Sequence, residues 1–213
     1  MKFDEGWVNF FAQQVVNPQF QKAANDVQSR RTAGVTVYPD EGRVFDAFAL
    51  TPFENLKAVI MVEEPYSDPK LAGSGLALSV SADVPIPPVL MNVFTELRRD
   101  LGVPIPSSGD LTSWAESGIL VCSSILTVEK GKQRSHKNVG WDSFTENMVR
   151  YISAEKEGIV FALWGTRAGK NAHYIDSSKH TVLTTSLPSR PLEGFSGCGH
   201  FKRINEVGKL WNV

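Results

Sequence analysis

The stretch AVIMVEEPYSDP, residues 58–69, decides the fold class of this chain. Five apolar residues are followed at once by Glu63 and Glu64, and the chain then turns at Pro65. A short run that is apolar throughout and stops at a polar turn is typical of a strand buried on both faces of a parallel sheet. Since α/β proteins hold their ligands beyond the carboxyl ends of such strands, the Glu63–Glu64 pair is the first candidate site.

Three further runs have the same character, namely GILVCSSI (118–125), GIVFALWG (158–165) and HTVLTT (180–185). The segments between the runs show the apolar spacing of amphipathic helices. One such series is Leu90, Val93, Phe94, Leu97 and Leu101, closed by Gly102, and another is Phe144, Met148, Tyr151 and Ile152. Strand and helix in alternation predict an α/β sandwich with a mostly parallel sheet.

The composition fits one intracellular domain that spans residues 1–213. The chain is 42% hydrophobic and 21% charged, with a net charge of −1, which allows a sizeable core and demands no particular partner. The two cysteines, Cys122 and Cys198, make no disulfide framework, and the N-terminus does not resemble a secretory signal. We expect a cytoplasmic protein, or a nuclear one in a eukaryote or in a virus of a eukaryotic host.

Neither a membrane, a metal nor a cofactor is expected. No stretch approaches the roughly 20 apolar residues that a membrane span requires. No group of histidines and cysteines has the spacing of metal ligands, so we predict neither a metal site nor a cofactor.

Basic residues gather in or near the loops that follow the four apolar runs. They are Lys130, Lys132, Arg134, His136, Lys137, Arg167, Lys170, Arg190, His200, Lys202 and Arg203. If the carboxyl ends of the strands converge, these residues form one positive face despite the near-neutral total. Such a face fits a nucleic-acid surface, and it equally fits an ordinary solvated surface.

The chain resembles the family-1 uracil-DNA glycosylases over most of its length. The resemblance is carried, in order, by TVYPDEGRVFDAFALTPFENLKAVI (36–60), GLALSV (75–80), IPPVLMNVFTELRRDLG (86–102), GDLTSWAESGILV (109–121), ILTVEKGKQRSHKNVGW (125–141), FTENMV (144–149), VFALWGTRAGK (160–170) and GFSGCGHF (194–201). It implies a three-layer α/β sandwich with a central four-stranded, mostly parallel sheet. It also implies hydrolysis of the bond between uracil and deoxyribose after the nucleotide is flipped out of the duplex.

The resemblance implies three loops that grip DNA. Pro87 and Pro88 fall in a proline-rich loop (85–89), in which Val89 replaces the family's phosphate-contacting serine. Gly165 and Thr166 match a Gly-Ser loop. A leucine loop, shorter than the family's, supplies the last DNA-binding candidates, which are Ser189, Arg190 and the wedge residue Leu192. Small residues let backbone N–H groups approach phosphates, and the wedge fills the gap left by a flipped base.

The base pocket departs from the family pattern at nearly every position. Glu64 stands where the family has its water-activating aspartate, and Leu187 replaces the histidine that steadies the departing uracil. Glu63, Leu78 and Ser123 replace the motif glutamine, the stacking phenylalanine and the base-reading asparagine. Only Tyr66, the family's screen against the thymine methyl group, is kept. The resemblance therefore leaves open whether the chain is an enzyme.

Three functions fit these residues. The first is a monomeric DNA-binding protein that keeps the grip and excises uracil poorly. The second is a glycosylase for a bulkier modified base, with Glu64 activating water. The third is an inactive decoy that binds a DNA-mimicking inhibitor protein of the kind that targets this family.

Overall fold

The computed structural model describes residues 2–189, 192–208 and 211. The helices are α1 (Glu5–Val15), α2 (Pro18–Thr32), α3 (Asp46–Leu50), α4 (Pro88–Leu101), α5 (Thr112–Glu116), α6 (Trp141–Glu155), α7 (Thr166–Gly169) and α8 (His200–Glu206). The strands are β1 (Val37–Tyr38), β2 (Ala58–Val62), β3 (Ile119–Ser123), β4 (Val128–Glu129), β5 (Val160–Trp164) and β6 (Thr181–Thr185). All four apolar runs are therefore strands.

A four-stranded sheet of order β3-β2-β5-β6 forms the centre, and every pairing in it is parallel. Helices flank it, so the predicted three-layer α/β sandwich is confirmed. Every residue of β2, β3 and β5 is buried. The prediction of burial on both faces is wrong for β6, which remains partly exposed. This strand has a neighbour on one side only, and its threonines suit a surface that is half solvated.

The two helical patterns form the helices that they predict. Helix α4 begins at Pro88, where proline is tolerated because a backbone N–H in the first turn would have no intrahelical acceptor. The helix ends before Gly102, which adopts φ +70°. Helix α6 buries Phe144, Met148 and Ile152 completely. None of the helices in the described ranges is long and apolar enough to cross a bilayer.

Aromatic side chains attach the N-terminal helix to the sandwich. Trp7 and Phe10 of α1 are fully buried, and their rings meet Phe48 and Phe144 at centroid distances of 5.0 and 5.4 Å. The Trp7 indole also donates a 2.7 Å hydrogen bond to the carbonyl of Thr51. These contacts make α1 part of the core of the sandwich.

Candidate functional site

Parallel pairing brings the loops after the four strands to one edge, as the sequence predicts. In register, Val62 of β2 lies opposite Ser123 of β3, and Trp164 of β5 lies opposite Thr185 of β6. Backbone bonds continue past the strand ends. The Ile125 amide donates to the carbonyl of Glu63 at 2.9 Å, and the Gly165 amide donates to the carbonyl of Thr185 at 2.8 Å.

Glu63, Gly165 and Leu187 meet at the centre of this edge. A Cβ atom on Gly165 would lie 2.8 Å from Leu187 Cδ2 and 3.2 Å from Glu63 Oε1, and the backbone there has φ +96°. Only glycine satisfies both conditions. Leu187 therefore packs directly on the Gly165 backbone, at the position where the family resemblance places a histidine.

Glu64 is directed to a different partner. Its Oε2 accepts a 2.7 Å hydrogen bond from the backbone N–H of Arg134. Burial raises the pKa of Glu64 above its ordinary value, against the opposing effect of that hydrogen bond and of the Arg134 and Arg167 charges. One oxygen of the candidate water-activating carboxylate is thus already engaged by the protein.

The segment 130–137 that presents Arg134 is held from both sides. Glu129 pairs with Arg30 at 2.6 Å and with Lys132 at 2.8 Å, and its amide donates to the hydroxyl oxygen of Ser135 at 2.8 Å. The Gly131 amide also donates to the carbonyl of Ser67, at 2.8 Å, in the loop that follows Glu64. The segment is therefore a fixed wall of the site.

Arg134 and Leu78 are the non-glycine residues with positive φ in the described part of the chain, at +61° and +64°. Such a conformation costs an L-residue roughly 1–2 kcal/mol, and strained positions of this kind concentrate at functional sites. Both lie beside a candidate pocket residue. Arg134 donates to Glu64, and the carbonyl of Leu78 accepts a 3.3 Å hydrogen bond from the hydroxyl of Tyr66.

The candidate pocket residues line two small adjoining cavities and one larger cleft. Tyr66 and Leu78 line a cavity of about 10 Å³, and Ser123 lines another of about 10 Å³. Each has room for about one water, whereas ligand pockets usually measure about 300–1,000 Å³. Burial raises the pKa of Tyr66, so this phenol stays protonated.

Glu63 and Glu64 open onto a larger space of about 290 Å³, called the inner cleft below. Its other lining residues are Ile125, Arg134, Lys137, Thr166, Arg167 and Lys170. Arg167 is neutralised by Asp142, whose two carboxylate oxygens it contacts at 2.6 and 2.8 Å. The inner cleft thus sets two carboxylates opposite several cations, an arrangement suited to a ligand that carries phosphate.

Helix α4 holds the leucine loop and the segment that follows it through three polar residues spaced four apart. The Asn92 amide donates to the carbonyl of Pro188 at 2.9 Å. Glu96 Oε1 accepts from the Gly197 amide at 2.7 Å, and Asp100 Oδ2 accepts from the Phe201 amide at 3.0 Å. Residues at i, i+4 and i+8 lie on one face of a helix, so a single face of α4 holds the start of the leucine loop (187–192), at Pro188, and the segment that follows it, at Gly197 and Phe201.

The DNA-binding candidates fall around this framework. Pro87 is buried immediately before α4, and Pro88 is exposed as the first residue of the helix. Thr166 and Ser189 are exposed, and Leu192 is partly buried. Arg190 lies outside the described residues. The structure thus brings Glu63, Gly165 and Leu187 together, while Glu64, Ser123 and the Tyr66–Leu78 pair have other surroundings.

The positive face is smaller than the sequence suggests, because its two histidines are interior. His136 and His200 are both buried, and burial lowers the pKa of each to about 4. His136 Nδ1 lies 2.7 Å from the hydroxyl of Thr127, and the indole of Trp164 donates to His200 Nδ1 at 3.1 Å. Both rings are uncharged supports for the loops.

Sequence reasoning missed the role of helix α4. The available signal was the polar row Asn92, Glu96 and Asp100 at i, i+4 and i+8 of a helix whose other face is apolar, since such a row can bind backbone groups of a neighbouring segment. In the described part of the chain, no group of three or more His, Cys, Asp or Glu side chains could hold a metal ion.

Sequence relatives match nearly the whole chain, although no family model does. A uracil-DNA glycosylase of Glaesserella parasuis serovar 5 is 41% identical over 203 residues, which are 94% of this chain and 91% of the relative. A uracil-DNA glycosylase of Coxiella burnetii (strain RSA 493 / Nine Mile phase I) is 43% identical over 204 residues, which are 94% of this chain and 88% of the relative.

Solved structures match the same fold. The crystal structure of mimivirus uracil-DNA glycosylase has a TM-score of 0.88 at 24% identity and covers 99% of this chain and 84% of its own. A mimivirus UNG variant in complex with UGI has a TM-score of 0.87 at 25% identity and covers 97% of this chain and 85% of its own. The fold of this chain is therefore one that solved glycosylases share.

Proposed function

Because the chain belongs to the uracil-DNA glycosylase family, we propose that it binds DNA through the family's grip loops but excises uracil inefficiently. The observation that carries this proposal is the small volume around the base-pocket residues. Tyr66 and Leu78 line one space of about 10 Å³, Ser123 lines another, and Leu187 packs on Gly165. A pyrimidine needs far more room than one water molecule.

The chemistry of the substituted residues supports weak excision. Glu64 carries its carboxylate on a longer side chain, and misplacing a reacting group by about 1 Å can cost about a hundredfold in rate. Leu187 has no donor for the departing anion, and one such donor is typically worth about a hundred- to a thousandfold. A charged Glu63 near that anion adds repulsion, which amounts to roughly 4 kcal/mol for unit charges about 4 Å apart.

The arrangement of the loops supports DNA binding. Gly165 brings the Gly-Ser loop against Leu187. Asn92, which lies just after the proline-rich loop, donates a hydrogen bond to the carbonyl of Pro188 in the leucine loop. Exposed Thr166 and Ser189 place hydroxyl groups on this edge, and Arg134, Lys137 and Lys170 add exposed cations. Loops that are already ordered bind phosphates without a further loss of conformational entropy.

The test is a binding and excision series on matched duplexes that carry thymine, uracil, an abasic site or a modified base at one position. We expect binding to all four, with affinity that falls steeply as salt rises, because phosphate contacts release counterions. We expect no uracil release comparable to that of the Glaesserella parasuis relative. A flat salt response would remove the DNA-binding claim, and rapid uracil release would remove the claim of weak excision.

The inner cleft favours one alternative, a glycosylase for a bulky or basic modified base. Its volume of about 290 Å³ and its two carboxylates suit a larger cationic base, with Glu64 as general base. Release of a large 5-substituted pyrimidine that is abolished by Glu64→Gln would establish this function in place of the first.

A decoy function is the remaining alternative, and the mimivirus complex with UGI is the observation that favours it. A surface that keeps the grip loops without the chemistry could bind such a protein. Tight binding of UGI by a chain that binds no duplex DNA would support the decoy and exclude the DNA-binding proposal.

A further inference from the structure

A second open cleft adjoins the inner cleft at Arg134 and Lys137. It measures about 350 Å³ and leads away from the carboxyl edge of the sheet toward helix α2. We call it the outer cleft. Its lining residues are Lys22, Asp26, Arg30, Arg134, Ser135, Lys137, Asn138 and Val139.

The outer cleft carries an excess of positive charge. Four of its lining residues are cations, against the single carboxylate of Asp26. Arg30 is already neutralised, since it contacts Asp26 at 3.1 Å and Glu129 at 2.6 Å. Lys22, Arg134 and Lys137 are exposed and form no ion pair within the ranges that the structure describes.

These cations lie on backbone that is already ordered. Arg134 adopts φ +61° while its N–H is bonded to Glu64, and the Lys137 amide donates to the carbonyl of Arg134 at 3.1 Å. Lys22 belongs to α2, which is joined to segment 130–137 through the Arg30–Glu129 pair. The backbone positions that carry these charges are therefore held relative to one another, which favours a ligand with several anions along its length.

The lining distinguishes between two classes of polyanion. Val139 is the one apolar residue among the eight that line the outer cleft. A protein partner needs an apolar centre to its interface, whereas nucleic-acid interfaces are polar, wet and positively charged. The composition of the cleft favours the phosphodiester backbone of a polynucleotide over an acidic protein.

We infer that the outer cleft is a second phosphate-backbone site, which binds the nucleic-acid strand where it extends past the inner cleft toward α2. The inference rests on the proposed DNA-binding function, because the inner cleft would deliver the strand to it. It adds a binding surface, formed by Lys22, Arg134 and Lys137, that lies outside the three grip loops.

The experiment measures affinity by fluorescence anisotropy over about 50–200 mM salt. The probes are a short duplex confined to the grip loops and a long duplex that extends beyond them. The variant is Lys22→Ala/Lys137→Ala, and the matched control is Lys57→Ala/Lys179→Ala. Lys57 and Lys179 are exposed and precede β2 and β6, so they lie at the opposite edge of the parallel sheet.

We expect the outer-cleft variant to weaken binding of the long duplex by at least about tenfold. Its plot of log affinity against log salt should become shallower by about one unit for each phosphate that the variant no longer neutralises. The control should match wild type on both probes. Because Lys137 also lines the inner cleft, the double variant should weaken binding of the short duplex as well, whereas Lys22→Glu, which lies outside the inner cleft, should weaken binding of the long duplex alone.

Two results would overturn the inference and leave the proposed function in place. The first is that the outer-cleft variant and the control both bind the long duplex with the affinity of wild type. The second is that polyglutamate binds wild type but not the outer-cleft variant, while the two proteins bind DNA with equal affinity. An acidic protein would then be the partner of the outer cleft. Absence of any wild-type binding to DNA would overturn the inference and the proposed function together.

Discussion

The carboxylate of Glu64 accepts a 2.7 Å hydrogen bond from the backbone N–H of Arg134, a residue 70 positions further along the chain. This contact joins the carboxyl end of β2 to the segment 130–137. Because the donor is a backbone group, the contact depends on the conformation of Arg134 and not on its side chain. Glu64 therefore stabilises the segment 130–137 in addition to being the candidate water-activating carboxylate.

If excision is as weak as we propose, uracil release should rise only when the substituted pocket positions are changed together. A fivefold variant, meaning one with five substitutions, should release uracil at least about a hundredfold faster than wild type. The five substitutions are Glu63→Gln, Glu64→Asp, Leu78→Phe, Ser123→Asn and Leu187→His. Leu187→His alone should change the rate less than about tenfold, because groups that act as a unit are not additive. The measurement is release of free uracil from a single-stranded oligonucleotide.

The control for that prediction replaces Glu64→Asp by Glu64→Gln in the same background, which should abolish the gain. A fivefold variant that melts cooperatively, binds DNA and still releases no uracil would show that other residues block excision.

Arg134→Gly should stabilise the protein and weaken its binding to DNA. Glycine removes the roughly 1–2 kcal/mol cost of a positive φ and loses about 0.5–1 kcal/mol through chain entropy, so the free energy of unfolding should rise by about 0.5–1 kcal/mol. The variant keeps the backbone hydrogen bond to Glu64 and removes one of the two cations that line both clefts. Urea denaturation and anisotropy measure the two effects.

Leu78→Gly is the contrasting variant, because its positive φ is similar but its side chain is buried. It should lose stability by about 2–5 kcal/mol, as other large-to-small changes in a core do. Loss of stability in Arg134→Gly, or unchanged DNA affinity, would contradict the role given to Arg134.

Stability should depend on pH through Glu64 in a defined direction. Because burial raises its pKa in the folded protein above the ordinary value of 4.5, the folded state binds this proton more tightly than the unfolded state does. The resulting stabilisation is complete below pH 4.5 and is lost as the pH rises through the higher pKa. Relative to Glu64→Gln, wild type should lose free energy of unfolding over that range, as measured by urea denaturation at a series of pH values.

Asp176→Asn tests the direction of this dependence of stability on pH, because its pKa is shifted the opposite way. Hydrogen bonds from Ser178 lower the pKa of Asp176, so wild type should gain stability relative to this variant as the pH rises. Equal slopes for Glu64→Gln and Asp176→Asn would contradict the assignment at Glu64.

Glu96→Ala should loosen the segment that follows the leucine loop, at Gly197. It removes the charged acceptor of the Gly197 amide, and bonds of this kind contribute about 1.5–3 kcal/mol. Glu96→Gln keeps a side-chain oxygen and should lose distinctly less. Urea denaturation gives the free energies, and hydrogen exchange at Gly197 should accelerate in the alanine variant alone. Equal losses in the two variants would point to packing in place of the hydrogen bond.

The sheet could be predicted from the sequence because its signal is local. Runs such as AVIMV and VFALW are too short for helices and too apolar for exposed strands, and Gly102 marks the end of α4 without reference to the rest of the chain. Strand β6 escaped full prediction, because the burial of an edge strand depends on the elements packed around it, and β3, at the other edge, is buried throughout.

The candidate site could be predicted only in part. Its residues follow the strand ends, so the positions of Glu63, Glu64 and Gly165 at one edge follow from parallel pairing. The bond between Glu64 and Arg134 spans 70 residues and depends on a backbone conformation that arginine rarely adopts, so no local pattern reports it. The same holds for the contact of Leu187 with Gly165.

The most direct test of the central claim is a single-turnover assay of uracil release. Wild type and Glu64→Gln are each held in excess over a uracil-containing oligonucleotide that both are shown to bind. We predict that the oligonucleotide stays intact with both proteins for as long as the Glaesserella parasuis relative needs to convert it completely. Rapid release of uracil by wild type, absent in Glu64→Gln, would contradict the claim that this family member keeps the grip on DNA without the excision.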